Sequence, residues 1–148
     1  MRKLTIERRK TFVASLMTMT VCIETPNAGD ISINGVACAS IGTLKNGETK
    51  TFEISDNAAK VYVIADTVSK DYCNDFYQLP EGSEDITLTG KNKFSLSHGN
   101  AFLFDNNDNP EAIANRKQGK KKGAWWIVLA VVVGICAGLV VGLSGLFR

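Results

Sequence analysis

From Ala124 to Phe147 the chain reads AWWIVLAVVVGICAGLVVGLSGLF, with no charge, no proline and one hydroxyl, Ser144. As a helix, a stretch of that length reaches roughly 36 Å at about 1.5 Å per residue, and about 20 apolar residues suffice to cross a bilayer. A helix apolar on every face needs either lipid or a large protein around it, and the 123 residues ahead of this one are too few to enclose it. The sequence therefore predicts one transmembrane helix over 124–147, and every other segment is placed relative to it.

The flanks of that stretch set an orientation. Arg116, Lys117, Lys120, Lys121 and Lys122 precede it, and only Arg148 follows. Lys and Arg beside a span favour the cytoplasmic side. The expectation is a single-pass protein of the plasma membrane with its N-terminal part in the cytoplasm. Trp125 and Trp126 then lie at the inner interface, where indoles prefer to sit. The basic cluster also attracts anionic membrane lipid, by about 1 kcal/mol per residue near the surface. Ala130, Gly134, Gly138 and Gly142 recur every four residues, on one helix face. A stripe of small residues lets helices approach closely in lipid, which predicts a homo-oligomer joined through the span.

Without the tail, the charge changes sign. Residues 1–115 hold 11 Lys/Arg and 15 Asp/Glu, or −4, whereas residues 116–148 hold 6 Lys/Arg and no acid, or +6; together they give the net +2. A mildly acidic domain is a poor partner for nucleic acid. Of four cysteines, Cys136 falls in the span and Cys22, Cys38 and Cys73 in the domain. Their odd number, without CxxC or paired histidines, is neither a disulfide framework nor a zinc site. Buried thiols in a reducing compartment are the expectation.

Met1–Lys10 (MRKLTIERRK) followed by the apolar Thr11–Ile23 has the outline of a signal peptide. Thr11, Ser15, Thr18 and Thr20 dilute the apolar run, Glu7 interrupts the basic one, and no small-x-small site follows. Residues 17–24 instead alternate as a half-buried strand does.

Along the chain, a first strand is expected over 11–24, with Val13, Met17, Met19, Val21 and Ile23 on one face. Short strands follow at Ile31–Ile33, Val36–Cys38, Thr49–Ile54, Lys60–Ala65, Asp85–Leu88, Lys93–Leu96 and Ala101–Phe104. Asn34-Gly35 and Asn46-Gly47 are turn pairs that tolerate positive φ. This spacing suggests an antiparallel sandwich or partly open barrel, and the expectation is an all-β domain over 1–104, a small antiparallel β-sandwich of about 7–8 short strands, then a polar and basic linker over 105–123. Residues 66–82 break the rhythm. Tyr72, Phe76 and Tyr77 there are candidates for a partner surface, or else they fold back over an open edge of the sandwich. Asp105–Asn109 is no calcium loop, because Pro110 and Arg116 stand where Gly and Glu are needed. Asp108 or Asn109 as helix N-cap ahead of Pro110 fits better.

Ile31-Ser32-Ile33-Asn34-Gly35-Val36, then Gly42-Thr43-Leu44-Lys45-Asn46-Gly47-Glu48, then Thr51-Phe52-Glu53-Ile54 resembles the core of PEGA-type and other prealbumin-like β-sandwich modules, over about residues 29–66. More broadly the chain is similar to uncharacterised single-pass proteins of Gram-positive bacteria that place a β domain before one span. The resemblance implies an interaction or scaffold role toward a protein partner, and no catalytic residue.

Local chemistry points the same way. His98 is the lone histidine, in a turn, and no GxSxG, Walker, GxGxxG or HExxH motif is present. Neither a cofactor nor a metal is expected. The leading expectation is a non-catalytic, membrane-anchored interaction module. Two others stand beside it: an extracytoplasmic, surface-displayed binding module, and an enzyme at the membrane surface whose site is assembled from distant residues.

Overall fold

Alternation begins earlier than expected. In the segment RKLTIER, Arg2, Leu4, Ile6 and Arg8 face inward and Lys3, Thr5 and Glu7 outward or toward the rim, and the segment is a strand. The computed structural model describes residues 1–25, 31–65, 75–95, 99–115 and 129–133. They contain nine strands: β1 (Arg2–Arg8), β2 (Met19–Glu24), β3 (Ile31–Ile33), β4 (Val36–Leu44), β5 (Thr49–Ile54), β6 (Lys60–Ala65), β7 (Tyr77–Gln78), β8 (Ile86–Ser95) and β9 (Gly99–Phe104). The chain is mostly β, in two sheets of order β5-β1-β8-β9 and β3-β4-β2-β6-β7, neither closed into a barrel.

The core lies between the sheets. Leu4, Ile6, Phe52, Ile54, Leu88, Phe102 and Phe104 from the first sheet meet Met19, Val21, Leu44, Val61, Val63 and Ala65 from the second. The second sheet is covered on its other face as well. Cys22, Cys38, Tyr62 and Ile64 pack there with Phe76 and Ala112. Burial on both faces is why β6 reads as the unbroken apolar run Val61–Ala65. Ala112 belongs to a helical segment over 110–115. Asn109 caps it, its Oδ1 accepting the N–H groups of Glu111 and Ala112 at 2.9 and 3.2 Å, as expected for an N-cap before proline. Asn107 and Ala112 are both buried, so the packed unit continues past 104 into residues expected to be linker. The Asn34-Gly35 turn is also as expected, with φ of 54° and 78°.

Several strand expectations change, and β4 runs on to Leu44 where only Val36–Cys38 is expected. Met1–Lys10, a basic flank in the sequence reading, supplies β1, paired on both sides by β5 and β8. Arginines at two inward positions hid its pattern. The strand expected over 11–24 starts only at Met19, because residues 12–16 form a turn. The two strands expected at 85–88 and 93–96 are one, β8, which runs through Gly90-Lys91-Asn92. Moreover β1 and β8 are parallel, so the first sheet is mixed and not purely antiparallel.

Among the described residues no helix is long and apolar enough to cross a membrane. Of the expected span, 129–133 are described; they are helical, and Ala130 and its neighbours Leu129, Val131, Val132 and Val133 are exposed. Tyr72, Cys73, His98, Arg116, Lys117, Lys120, Lys121, Lys122, Trp125, Trp126, Gly134, Cys136, Gly138 and Gly142 lie outside the described residues.

Candidate functional site

Two arginines close the ends of the core. Arg2 donates to the carbonyls of Pro80 and Ala58 at 2.6 and 3.2 Å. Arg8, at the other end of β1, is wholly buried. Its Nε donates to Asn92 Oδ1 at 2.8 Å, its Nη1 to the carbonyls of Met17 and Leu44 at 2.6 and 3.0 Å, and its Nη2 to the carbonyl of Ala14 at 2.7 Å. All four acceptors are neutral. Burial pulls the guanidinium below its ordinary pKa, yet arginine stays charged in proteins.

Two of the four groups that Arg8 holds, the carbonyls of Ala14 and Met17, belong to the turn between β1 and β2. That turn is pinned further by Asn46, which accepts from the Thr11 N–H and donates to the Thr11 carbonyl, both at 3.0 Å. Thr11 Oγ1 donates to the Val13 carbonyl, and Ala14 sits at φ 56°, a left-handed conformation that a non-glycine residue adopts at a cost of about 1–2 kcal/mol. On this fastened turn Phe12 is 96 % exposed and Leu16 is 99 % exposed. Burying such a side chain is worth about 1.5–3 kcal/mol, and the fold forgoes that twice within five residues. Strain and exposed apolar side chains on one turn make it the candidate contact surface among the described residues.

The surroundings of the turn are basic. β1 and β8 run parallel with Arg8 opposite Gly90 and the Arg9 N–H donating to the Gly90 carbonyl, and β8 carries Lys91 and Lys93 onward past the end of β1. The Lys10 stem lies against Gly47 of the Lys45–Glu48 turn. Among the described residues Lys10, Lys45, Lys91 and Lys93 form no ion pair, whereas Arg9 meets Asp105 at 2.6 Å. Glu7 and Glu48 also stand at this end, Glu48 accepting from the Lys45 N–H at 2.6 Å, but more acids gather at the opposite end, where Glu53 lies beside Lys3, Asp56 meets the Met1 ammonium at 2.8 Å, and Glu81, Glu84 and Asp85 lead into β8.

Of the aromatic residues expected at a partner surface, Phe76 is not available to one. It is 2 % exposed, its ring 5.9 Å from that of Tyr62, with Lys60 Nζ 4.9 Å above it. It is anchored beside Asp75, which accepts from the Phe104 N–H and from Asn107 Nδ2 at 2.8 and 3.0 Å. Tyr77 is half-buried against Phe104, so Phe76 and Tyr77 cover the sandwich edge, and Tyr72 lies outside the described residues. Phe12 and Leu16 were missed because they sat inside an expected strand. The signal available was their phase, since both fall off the odd-numbered face of Val13, Met17, Met19 and Val21.

Among the described residues no group of three His, Cys, Asp or Glu comes together to hold a metal ion. Cys22 and Cys38 are buried and not joined in a disulfide. Burial first, then the charge of Glu24, pushes the Cys38 thiol up to about 11, against a smaller opposing effect of the Ile33 backbone. The neutral thiol is the form the fold favours. Its contribution is therefore complete below the unfolded value of about 8.5 and is lost as pH rises from there through about 11. Urea midpoints measured from pH 8 upward should fall more steeply for the wild type than for Cys38→Val; parallel curves would refute this.

No family model, no curated protein and no solved structure matches this chain.

Proposed function

We propose that this chain is a single-pass, membrane-anchored, non-catalytic interaction module whose β domain stands on the cytoplasmic side. One observation carries the reading: the uncharged stretch Ala124–Phe147 follows directly on Arg116, Lys117, Lys120, Lys121 and Lys122. The organisation of the domain supports it. Its buried polar side chains Arg2, Arg8, Asp75 and Asn107 hold loops to the sandwich, and its conspicuous exposed feature is an apolar turn suited to contact. The resemblance of residues 29–66 to PEGA-type modules agrees with a scaffold role. The extracytoplasmic alternative, with residues 1–23 as a cleaved leader, would delete β1 from the middle of its sheet and most of β2.

The span brings copies together through Ala130, Gly134, Gly138 and Gly142. Gly138→Ile, mid-stripe, should weaken association by about 1–2 kcal/mol, and Val140→Ile, off the stripe, should change little. A reporter of span dimerisation in cells reads both. Equal signals for wild type and Gly138→Ile would remove the self-association part of the reading.

A further inference from the structure

We propose that the basic end of the sandwich docks on an anionic lipid surface, with Phe12 and Leu16 entering the boundary between headgroups and acyl chains. The proposal rests on the anchor reading above and adds the orientation of the domain.

Three observations converge on it. Phe12 and Leu16 project almost fully into solvent from a turn that Arg8 and Asn46 hold in place. A turn fixed in this way presents its apolar side chains without first having to be ordered, so little freedom is lost on contact. Lys10, Lys45, Lys91 and Lys93 cluster at the same end without ion pairs among the described residues. Each basic residue near an anionic leaflet strengthens binding about fivefold, and apolar side chains beside basic ones are the composition of interfacial anchors. The acids Glu53, Asp56, Glu81, Glu84 and Asp85 occupy the far end of β1 and β8, with Lys3 and the Met1 ammonium among them. At the basic end Glu7, Glu48 and the Arg9-paired Asp105 are outnumbered by Arg8, Arg9, Lys10, Lys45, Lys91 and Lys93. A domain polarised in this way turns its basic end toward a negative surface. Lipid is favoured over an acidic protein as the occupant because the anchor reading already holds this domain beside a bilayer through the basic run ahead of Ala124. Reach is sufficient: residues 116–123 can extend at most about 30 Å, so an anchored domain stays at the bilayer.

The test uses the full-length chain in nanodiscs of phosphatidylcholine, with or without phosphatidylglycerol. Backbone hydrogen exchange is followed at residues 12–17, with residues 81–85 at the acidic end as control. Exchange at 12–17 should slow at least about tenfold in the anionic discs. High salt should reverse the effect, because the screening length shrinks to about 3 Å at 1 M. The double variant Phe12→Asp, Leu16→Asp should lose the slowing while keeping wild-type exchange in β2 and β6; both side chains are exposed, so the fold does not need them. Identical exchange at 12–17 in the two kinds of disc would overturn the proposal. So would protection that appears in native membranes but not in anionic lipid alone, which would assign the tip to a protein. Failure of the anchor reads differently. A chain that does not enter discs but floats with anionic vesicles, and loses flotation in the double variant, supports docking while removing the span. A chain that does neither overturns both.

Discussion

Arg8→Ala should destabilise the domain by about 4 kcal/mol, a large share of its margin, since small domains are stable by only about 5–15 kcal/mol. The side chain fills the end of the core and serves four acceptors: Asn92 Oδ1 and the carbonyls of Met17, Leu44 and Ala14. Each buried acceptor left without a donor costs about 1–3 kcal/mol, partly relieved where water can enter at the rim. Arg8→Lys keeps the charge but offers one ammonium where a planar fork reached three elements, and should cost about half as much. Arg8→Met decides between explanations. A buried cation facing only neutral groups carries a large desolvation penalty, and apolar replacement of buried charge is often neutral or stabilising. If satisfying the four acceptors is what matters, Arg8→Met is less stable than wild type in urea unfolding followed by circular dichroism. A midpoint equal to or above wild type would show that the guanidinium contributes nothing net.

Gly90→Ala should cost about 3 kcal/mol, the top of the usual overpacking range. Gly90 sits where three strands meet, opposite Arg8 of β1 and Phe104 of β9. A Cβ there would stand 2.5 Å from two carbons of the Phe102 ring and 2.6 Å from the Leu103 carbonyl oxygen. The ring cannot retreat, because it is 3 % exposed and packs edge-on against Phe104 at 5.1 Å. The carbonyl belongs to the backbone of β9, paired along its length with β8. For a domain near 100 residues the melting temperature should fall by about 12 °C or more. Gly35→Ala is the comparison. Its φ is 78° but nothing lies within 4 Å of a new Cβ, so only the left-handed conformation is penalised, by about 1 kcal/mol. Equal losses at the two positions would mean that the Phe102 contact is not what Gly90 serves.

These two positions also show why part of the fold was illegible in the sequence. Strands with apolar alternation or continuous apolar runs, such as Thr49–Ile54 and Lys60–Ala65, were found at their observed bounds, and Asn34-Gly35 announced its turn. β1 was hidden because its inward positions begin and end in arginine, and a two-residue period is recognised only when the inward set is apolar. What makes those arginines internal is a set of carbonyls: those of Leu44, Ala58 and Pro80 lie beyond any local window, and those of Ala14 and Met17, though near in sequence, turn toward Arg8 only once residues 12–16 leave the strand path. β8 was split because Gly-Lys-Asn-Lys has turn composition. There the glycine admits the Phe102 ring, Asn92 faces inward to Arg8, and the lysines face outward. The apolar turn was masked for the opposite reason. Phe12 and Leu16 look like core residues until the structure leaves them outside it.

In the function proposed above, a span over 124–147 tethers the β domain at the cytoplasmic face. Trypsin applied to sealed membrane vesicles of known sidedness tests it most directly, because Arg116, Lys117, Lys120, Lys121 and Lys122 are five cleavage sites directly ahead of the span. Cleavage in this cluster should occur only when the cytoplasmic face is outward. It should free the β domain and leave a short C-terminal fragment that resists extraction by alkaline carbonate. Cleavage of the cluster from the opposite face, or an intact chain that leaves the membrane in carbonate before any protease is added, would contradict the account.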